Sequence, residues 1–167
     1  MRLYFGGNAG IQFLPQRPIF MTPEVRWGAY WYAIDRSDLN PTIYELEVTV
    51  TKTAKEADVV AAAKEVRATK NDVAKACSYE GENPFDFSYL TVVQNELCRK
   101  GFDAIEGHDV LSNSTIQIFI VWNPKQVQIL RQHPVTLATR KFDFLSDVVQ
   151  SFCESENRKN ETDVDSH

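Results

Sequence analysis

Apolar and polar positions alternate through residues 42–51 (TIYELEVTVT), several of them β-branched, and this period of two predicts a strand. Residues 115–122 (TIQIFIVW) predict a second, strongly apolar strand that Asn123-Pro124 stops. Shorter strands are expected at 2–5, 102–105 and 126–131, and a further one at 135–139. The first ends at Gly6-Gly7-Asn8-Ala9-Gly10, where glycine permits backbone shapes other residues resist. Pro15 and Pro18 punctuate a loop over 11–19. Thr22-Pro23-Glu24 predicts a helix start, with a hydroxyl N-cap, proline in the first turn and an acid near the positive end of the dipole. That helix runs to about Ala33, and Gly28 inside it marks a weakness or a place of close packing. Residues 55–77, rich in Ala, Lys, Glu and Val without Pro or Gly, predict one or two helices on a solvated face. A break over 78–84 precedes a helix over 86–100, whose basic end meets Gly101. Residues 106–114 are expected to be a loop, 143–153 a closing helix, and 155–167 a polar, mostly acidic disordered tail.

This order of elements predicts one α+β domain over 1–154, followed by the tail, with no internal repeat. A length of 167 residues, 43% apolar and 25% charged, suits one hydrophobic core. The net charge of −5 disfavours nucleic acid, because no basic surplus is available to displace counterions. Cys77, Cys98 and Cys153 are odd in number and widely spaced, which predicts reduced thiols and a cytoplasmic setting. The N-terminus has no apolar signal region, and no run of about 18 apolar residues predicts a membrane span. Sequons at Asn113 and Asn160 then read as chance matches.

The candidate chemistry is sparse. His108, His133 and His167 have no ligand spacing and no Cys/His cluster exists, so no metal site is expected. Neither a Ser/His/Asp nor a Cys/His system has a local signature. Gly6-Gly7 reads either as a turn or as a place where backbone approaches a ligand. Tyr30 and Tyr32, two apart on a helix, cannot share a face; each is a core aromatic or a flat platform.

Three blocks carry a family resemblance: Leu3-Tyr4-Phe5-Gly6-Gly7; Ile19-Phe20-Met21-Thr22 followed by Ala29-Tyr30-Trp31-Tyr32-Ala33; and Gly101-Phe102-Asp103-Ala104-Ile105 followed by 118–127 (IFIVWNPKQV). In this order they resemble the ADP-ribosyltransferase superfamily, nearest to its small bacterial and phage members. The resemblance spans 3–127 with a long helical insert. It implies a split β-sheet sandwich with flanking helices, a cleft for NAD as substrate, and transfer of ADP-ribose to a macromolecular target, expected to be a protein. Carried onto this chain, it implies that Gly6 and Gly7 hold the nicotinamide amide, that Tyr32 stacks on the ring, and that Thr22 supports the ribose side.

Two departures stand out. Phe5 occupies the usual histidine or arginine position and loses a polar contact to NAD. Ile118 falls at the usual glutamate, with Gln117 one residue earlier on the opposite strand face, so that only a bulge is expected to bring Gln117 into the cleft. Glu106 and Asp109 offer substitute acids in the expected 106–114 loop. The Gly101 to Asp109 spacing also resembles small phage anti-CRISPR ADP-ribosyltransferases, so Asp109 is favoured over Gln117 as the catalytic group. The implied setting is phage anti-defence, with a defence-system protein as partner. The alternative is a catalytically inactive relative that inhibits a partner by docking.

Overall fold

Two small sheets carry residues 1–36, 40–77, 83–111 and 114–135, the parts of the chain described by a computed structural model. In the first sheet β1 (Arg2–Asn8), β3 (Pro41–Val48) and β7 (Val127–Pro134) pair antiparallel in the order β1-β3-β7. The second has the order β2-β6-β5-β4, built from β2 (Ile19–Met21), β4 (Thr53–Ala54), β5 (Ala104–Leu111) and β6 (Ser114–Val121). Only its β4–β5 pair is parallel. A π-helical turn (Val25–Ala29) leads into α1 (Tyr30–Arg36). The expected 55–77 helix divides into α2 (Glu56–Glu65) and α3 (Lys70–Cys77), with Arg67 between them at a φ of 55°. The protein is thus a mixed α+β chain of two sheets and several helices. None of the helices among the described residues is long and apolar enough to cross a membrane.

The packing follows from strand parity. On β6, Ile116, Ile118 and Ile120 face α2 and α4 (Thr91–Arg99), joining Val59, Ala62 and Leu97. Phe119 and Val121 face the other way, onto Leu3, Tyr44 and Leu46 of the first sheet. The middle of the inter-sheet gap is therefore filled with buried side chains. On its outer face the first sheet buries Tyr4 and Ile43 against Ala29, Tyr30 and Ala33. Tyr30 and Tyr32 go to different clusters, as their helical spacing requires.

Several sequence expectations are corrected. Gly6 and Gly7 do not end β1, which runs to Asn8 in unbroken register with β3. A Cβ at Gly6 would overlap the Ala29 carbonyl and the Ala33 nitrogen, so glycine is needed there because a helix backbone lies against the strand. Thr22 is not the N-cap; Glu24 is, and the Thr22 hydroxyl accepts the Glu24 N–H at 3.0 Å. Close packing at Gly28 is real, and its neighbour is Thr22. The 86–100 helix is a 3₁₀ turn (Pro84–Tyr89) followed by α4, with Asn83 capping the turn at Phe85 N. The expected 106–114 loop is largely strand: β5 continues to Leu111, opposite all but one residue of β6. The expected 143–153 helix, the 155–167 tail and residues 136–139 lie outside the described residues.

Candidate functional site

Among the described residues one isolated backbone bridge joins the edges of the two sheets, and beyond it the strands part. Tyr4 and Thr22 exchange both backbone hydrogen bonds, at 2.8 and 2.9 Å, in an isolated antiparallel bridge. Continued, that register would pair Gly6 with Phe20, but β1 stays with β3 and β2 stays with β6. Hydrogen-bonding directions alternate along a strand, so Gly6 turns its N–H and C=O to the same side as Tyr4, toward the parting. Among the described residues no hydrogen bond reaches Gly6 from that side, although the residue is buried. Buried backbone groups are rarely left in this state. Gly7 is different: its backbone belongs to the β3 ladder, and the Phe5 ring covers the face where a Cβ would stand. Thr22 is fully buried between the bridge and Gly28.

Tyr32 and Asp109 come together. The Tyr32 phenol donates to Asp109 Oδ2 across 77 residues of sequence, while Ala33, its neighbour, packs on Gly6. Asp109 pairs with Ile116 and shares its sheet face, the one that carries the helices. Asp109 is half-buried, and Tyr32 is 5% exposed.

Gln117 needs no bulge. It lies on the inter-sheet face of β6 with Phe119, in regular register, whereas Ile118 points to the helices. Gln117 Nε2 donates to Glu106 Oε1 at 3.0 Å, and Lys55 Nζ holds Glu106 Oε2 at 2.6 Å. The Lys55 ammonium keeps the Glu106 carboxyl below the usual range, helped by Gln117 and Thr53 and opposed by partial burial. Asp109 and Gln117 therefore occupy opposite faces of the second sheet. Asp103, in the third resemblance block, is structural: burial raises its carboxyl, but N–H donors at Lys52 and Thr51 outweigh that and lower it.

The parting opens into a cavity of about 440 Å³. Its wall includes Phe5, Phe13, Arg17, Phe20 and Tyr89. Phe20 and Tyr89 stack at 5.6 Å, and Phe5 meets Phe13 edge-on at 5.4 Å. Buried Gln94 shapes the loop: its amide donates to Gln16 O at 2.8 Å and Ser88 O at 2.7 Å. Gln16 N–H donates to Trp122 O, and Gln16 is held at a φ of 64°. Tyr44 braces the same region, donating to Asn8 O and accepting from Ile11 N–H. From Phe20, level with Ile120, to Asp109, level with Ile116, is four residues along β6, roughly 13 Å. Phe5 thus borders the cavity, whereas Gly6, Tyr32 and Asp109 do not line it. Arg17, Gln94 and Lys55 carried no sequence signal beyond the prolines that marked their loop or the helical run that contained them.

No protein-family model matches the chain, and no curated protein matches it. A crystal structure of an anti-CRISPR protein is similar at a TM-score of 0.40 and 12% identity, over 81% of this chain and 95% of that one. A likeness this distant decides neither fold nor function.

Proposed function

We propose that this protein binds NAD at the parting of its two sheets and transfers ADP-ribose to a protein target, releasing nicotinamide. The observation that carries the reading is the Gly6 backbone. A buried N–H and C=O turned side by side toward the parting, with no hydrogen-bond partner among the described residues, are the complement of a carboxamide such as that of nicotinamide. Ala33 borders the strand at that point, and Asp109 fixes the phenol of its neighbour Tyr32. Asp109 stands away from the cavity, so in this reading its carboxylate acts through Tyr32, or on release from it, on the oxocarbenium-like ribose that forms as nicotinamide leaves. Two sheets joined edgewise by an isolated bridge, with strands that part beyond it, support the split-sheet plan implied by the sequence blocks. The anti-defence setting and a defence-system target rest on the Gly101 to Asp109 resemblance.

A second reading, a docking protein without chemistry, is favoured by one observation. Thr22 and the side faces of Gly6 and Gly7 are taken up by packing, and Tyr32 is almost fully enclosed. Radiolabelled NAD incubated with the protein and a cell lysate separates the two. Transfer of label to a discrete protein with nicotinamide release supports the enzyme, and Asp109→Ala should abolish both. Thermal stabilisation by NAD without release supports the docking protein.

A further inference from the structure

The geometry points to Arg17 as the anion-recognition residue of this cleft, taking the diphosphate of an adenine dinucleotide in place of the polar residue that Phe5 displaces. The identity of the ligand rests on the transferase reading; the location of the anion contact does not. Arg17 and Phe5 line the same 440 Å³ cavity, a size within the roughly 300–1,000 Å³ of small-molecule sites. Among the described residues the Arg17 guanidinium makes no ion pair or hydrogen bond, in a chain of net charge −5 where cations such as Arg99, Lys100 and Lys55 are engaged by carboxylates. An exposed guanidinium beside an aromatic wall matches a planar base joined to phosphate: rings for the base, a fork of donors for the oxygens.

The loop that carries it is pre-set. Gln94, 1% exposed, and Trp122 pin Gln16 in a left-handed conformation unusual for a residue with a side chain. Arg17 follows directly, its own N–H bonded to Leu14 O at 3.3 Å, so its backbone is positioned before any ligand arrives. Phe5, Phe13 and Tyr89 are each half-buried, with ring surface left along the cavity.

The test is calorimetric titration of the full chain with ADP-ribose, AMP and adenosine, in the wild type, Arg17→Gln and Arg17→Lys. The expected result is that ADP-ribose binds the wild type about tenfold more tightly than adenosine, the size of one charge-assisted contact at an exposed site. Arg17→Gln should erase that preference while leaving adenosine affinity unchanged, and Arg17→Lys should restore part of it. Raising the salt concentration should weaken ADP-ribose binding to the wild type more than to Arg17→Gln. Equal losses for adenosine and ADP-ribose in Arg17→Gln, no loss for either, or no binding to the wild type would overturn the assignment. Insensitivity to Arg17→Gln with nicotinamide release intact removes this residue and leaves the transferase standing. Arg17-dependent binding without release does the reverse.

Discussion

Along β6 the second sheet has a closed end and an open one. Near Ile116 Tyr32 is spent on Asp109; on the opposite face Gln117 and Lys55 are spent on Glu106, which is level with Phe119. Near Ile120 the strands of the two sheets have parted, the Gly6 backbone turns toward the parting, and the Arg17 guanidinium lines the cavity without a partner among the described residues. Both ends are framed by the same buried strand, so the difference lies in what covers them. Helix α1 lies directly on β1 at Gly6 and sends Tyr32 to Asp109, whereas a loop held by one buried glutamine forms part of the cavity wall. The acids richest in chemical promise are thus the more completely satisfied, and the open surface is supplied by Arg17 and its loop, which lie in no motif, beside Phe5 and Phe20, which do.

The largest way to break this arrangement is at Gly6. An added methyl would meet helix backbone at Ala29 and Ala33, which cannot rotate away as a side chain can. Gly6→Ala is expected to lower the unfolding free energy by about 3 kcal/mol, read by urea denaturation. Gly10→Ala is the matched control: Gly10 has open space around its Cβ position but a φ of 73°, so it should lose only about 1 kcal/mol, from backbone strain. Equal losses at the two glycines would mean that α1 does not lie on β1.

The next effect tests the closed end. Tyr32→Phe, Asp109→Asn and the double variant form a cycle whose coupling should be about 1–2 kcal/mol, as for a hydrogen bond to a charged, half-buried group. Coupling near zero would mean that the phenol and the carboxylate do not meet in solution. Asp109 would then be free to face the cleft directly, which would sharpen the contrast in the other direction.

A smaller effect separates the ends by pH. The Glu106 carboxyl lies below its ordinary value in the folded chain, chiefly through Lys55. A depressed carboxylate contributes stability that is present above its unfolded value, near 4.5, and is lost as pH falls through the folded one. Lys55→Met should therefore lower stability at pH 7, by less than about 1 kcal/mol because the lysine is exposed, change it less at pH 3.5, and so flatten the fall between the two. Urea midpoints at pH 7 and pH 3.5 for both proteins check this. An unchanged slope would show that Glu106 is not held by Lys55.

How much of this was legible depends on the range over which each residue acts. The 42–51 strand, the 55–77 helices and the 115–122 strand announced themselves because burial on one face imposes a period along the chain itself. Gly6-Gly7 looked like a turn because glycine's local meaning is flexibility, while its reason here is a helix that arrives more than twenty residues later. Residues 106–111 read as loop because Glu106, His108 and Asp109 are polar; they are strand because they are the hairpin partner of apolar β6. Tyr32 and Asp109 were each singled out through the family resemblance, yet neither one's pattern announced that it would be the other's partner. Gln94 was invisible for a related reason: a glutamine inside a helix looks solvated until its amide is found clamping the distant Gln16 carbonyl to the nearby one of Ser88.

The smallest effect asks whether the open end is held open under strain. Gln16 adopts a φ of 64°, which costs a residue with a Cβ about 1 kcal/mol or more and costs glycine little. Gln16→Gly relieves that strain but gives the unfolded chain more freedom, a loss of roughly 0.5–1 kcal/mol, so the net gain should be only a few tenths. The sharper reading comes from combining it with Gln94→Ala, which removes the amide that accounts for the Gln16 carbonyl's position. If Gln94 works partly by enforcing the left-handed turn, Gln94→Ala should destabilise the wild type by a different amount than it destabilises Gln16→Gly, with urea midpoints as the readout. Strict additivity would mean that the turn keeps its shape without the clamp. The cleft wall would then owe its form to Trp122 and the prolines flanking Gln16.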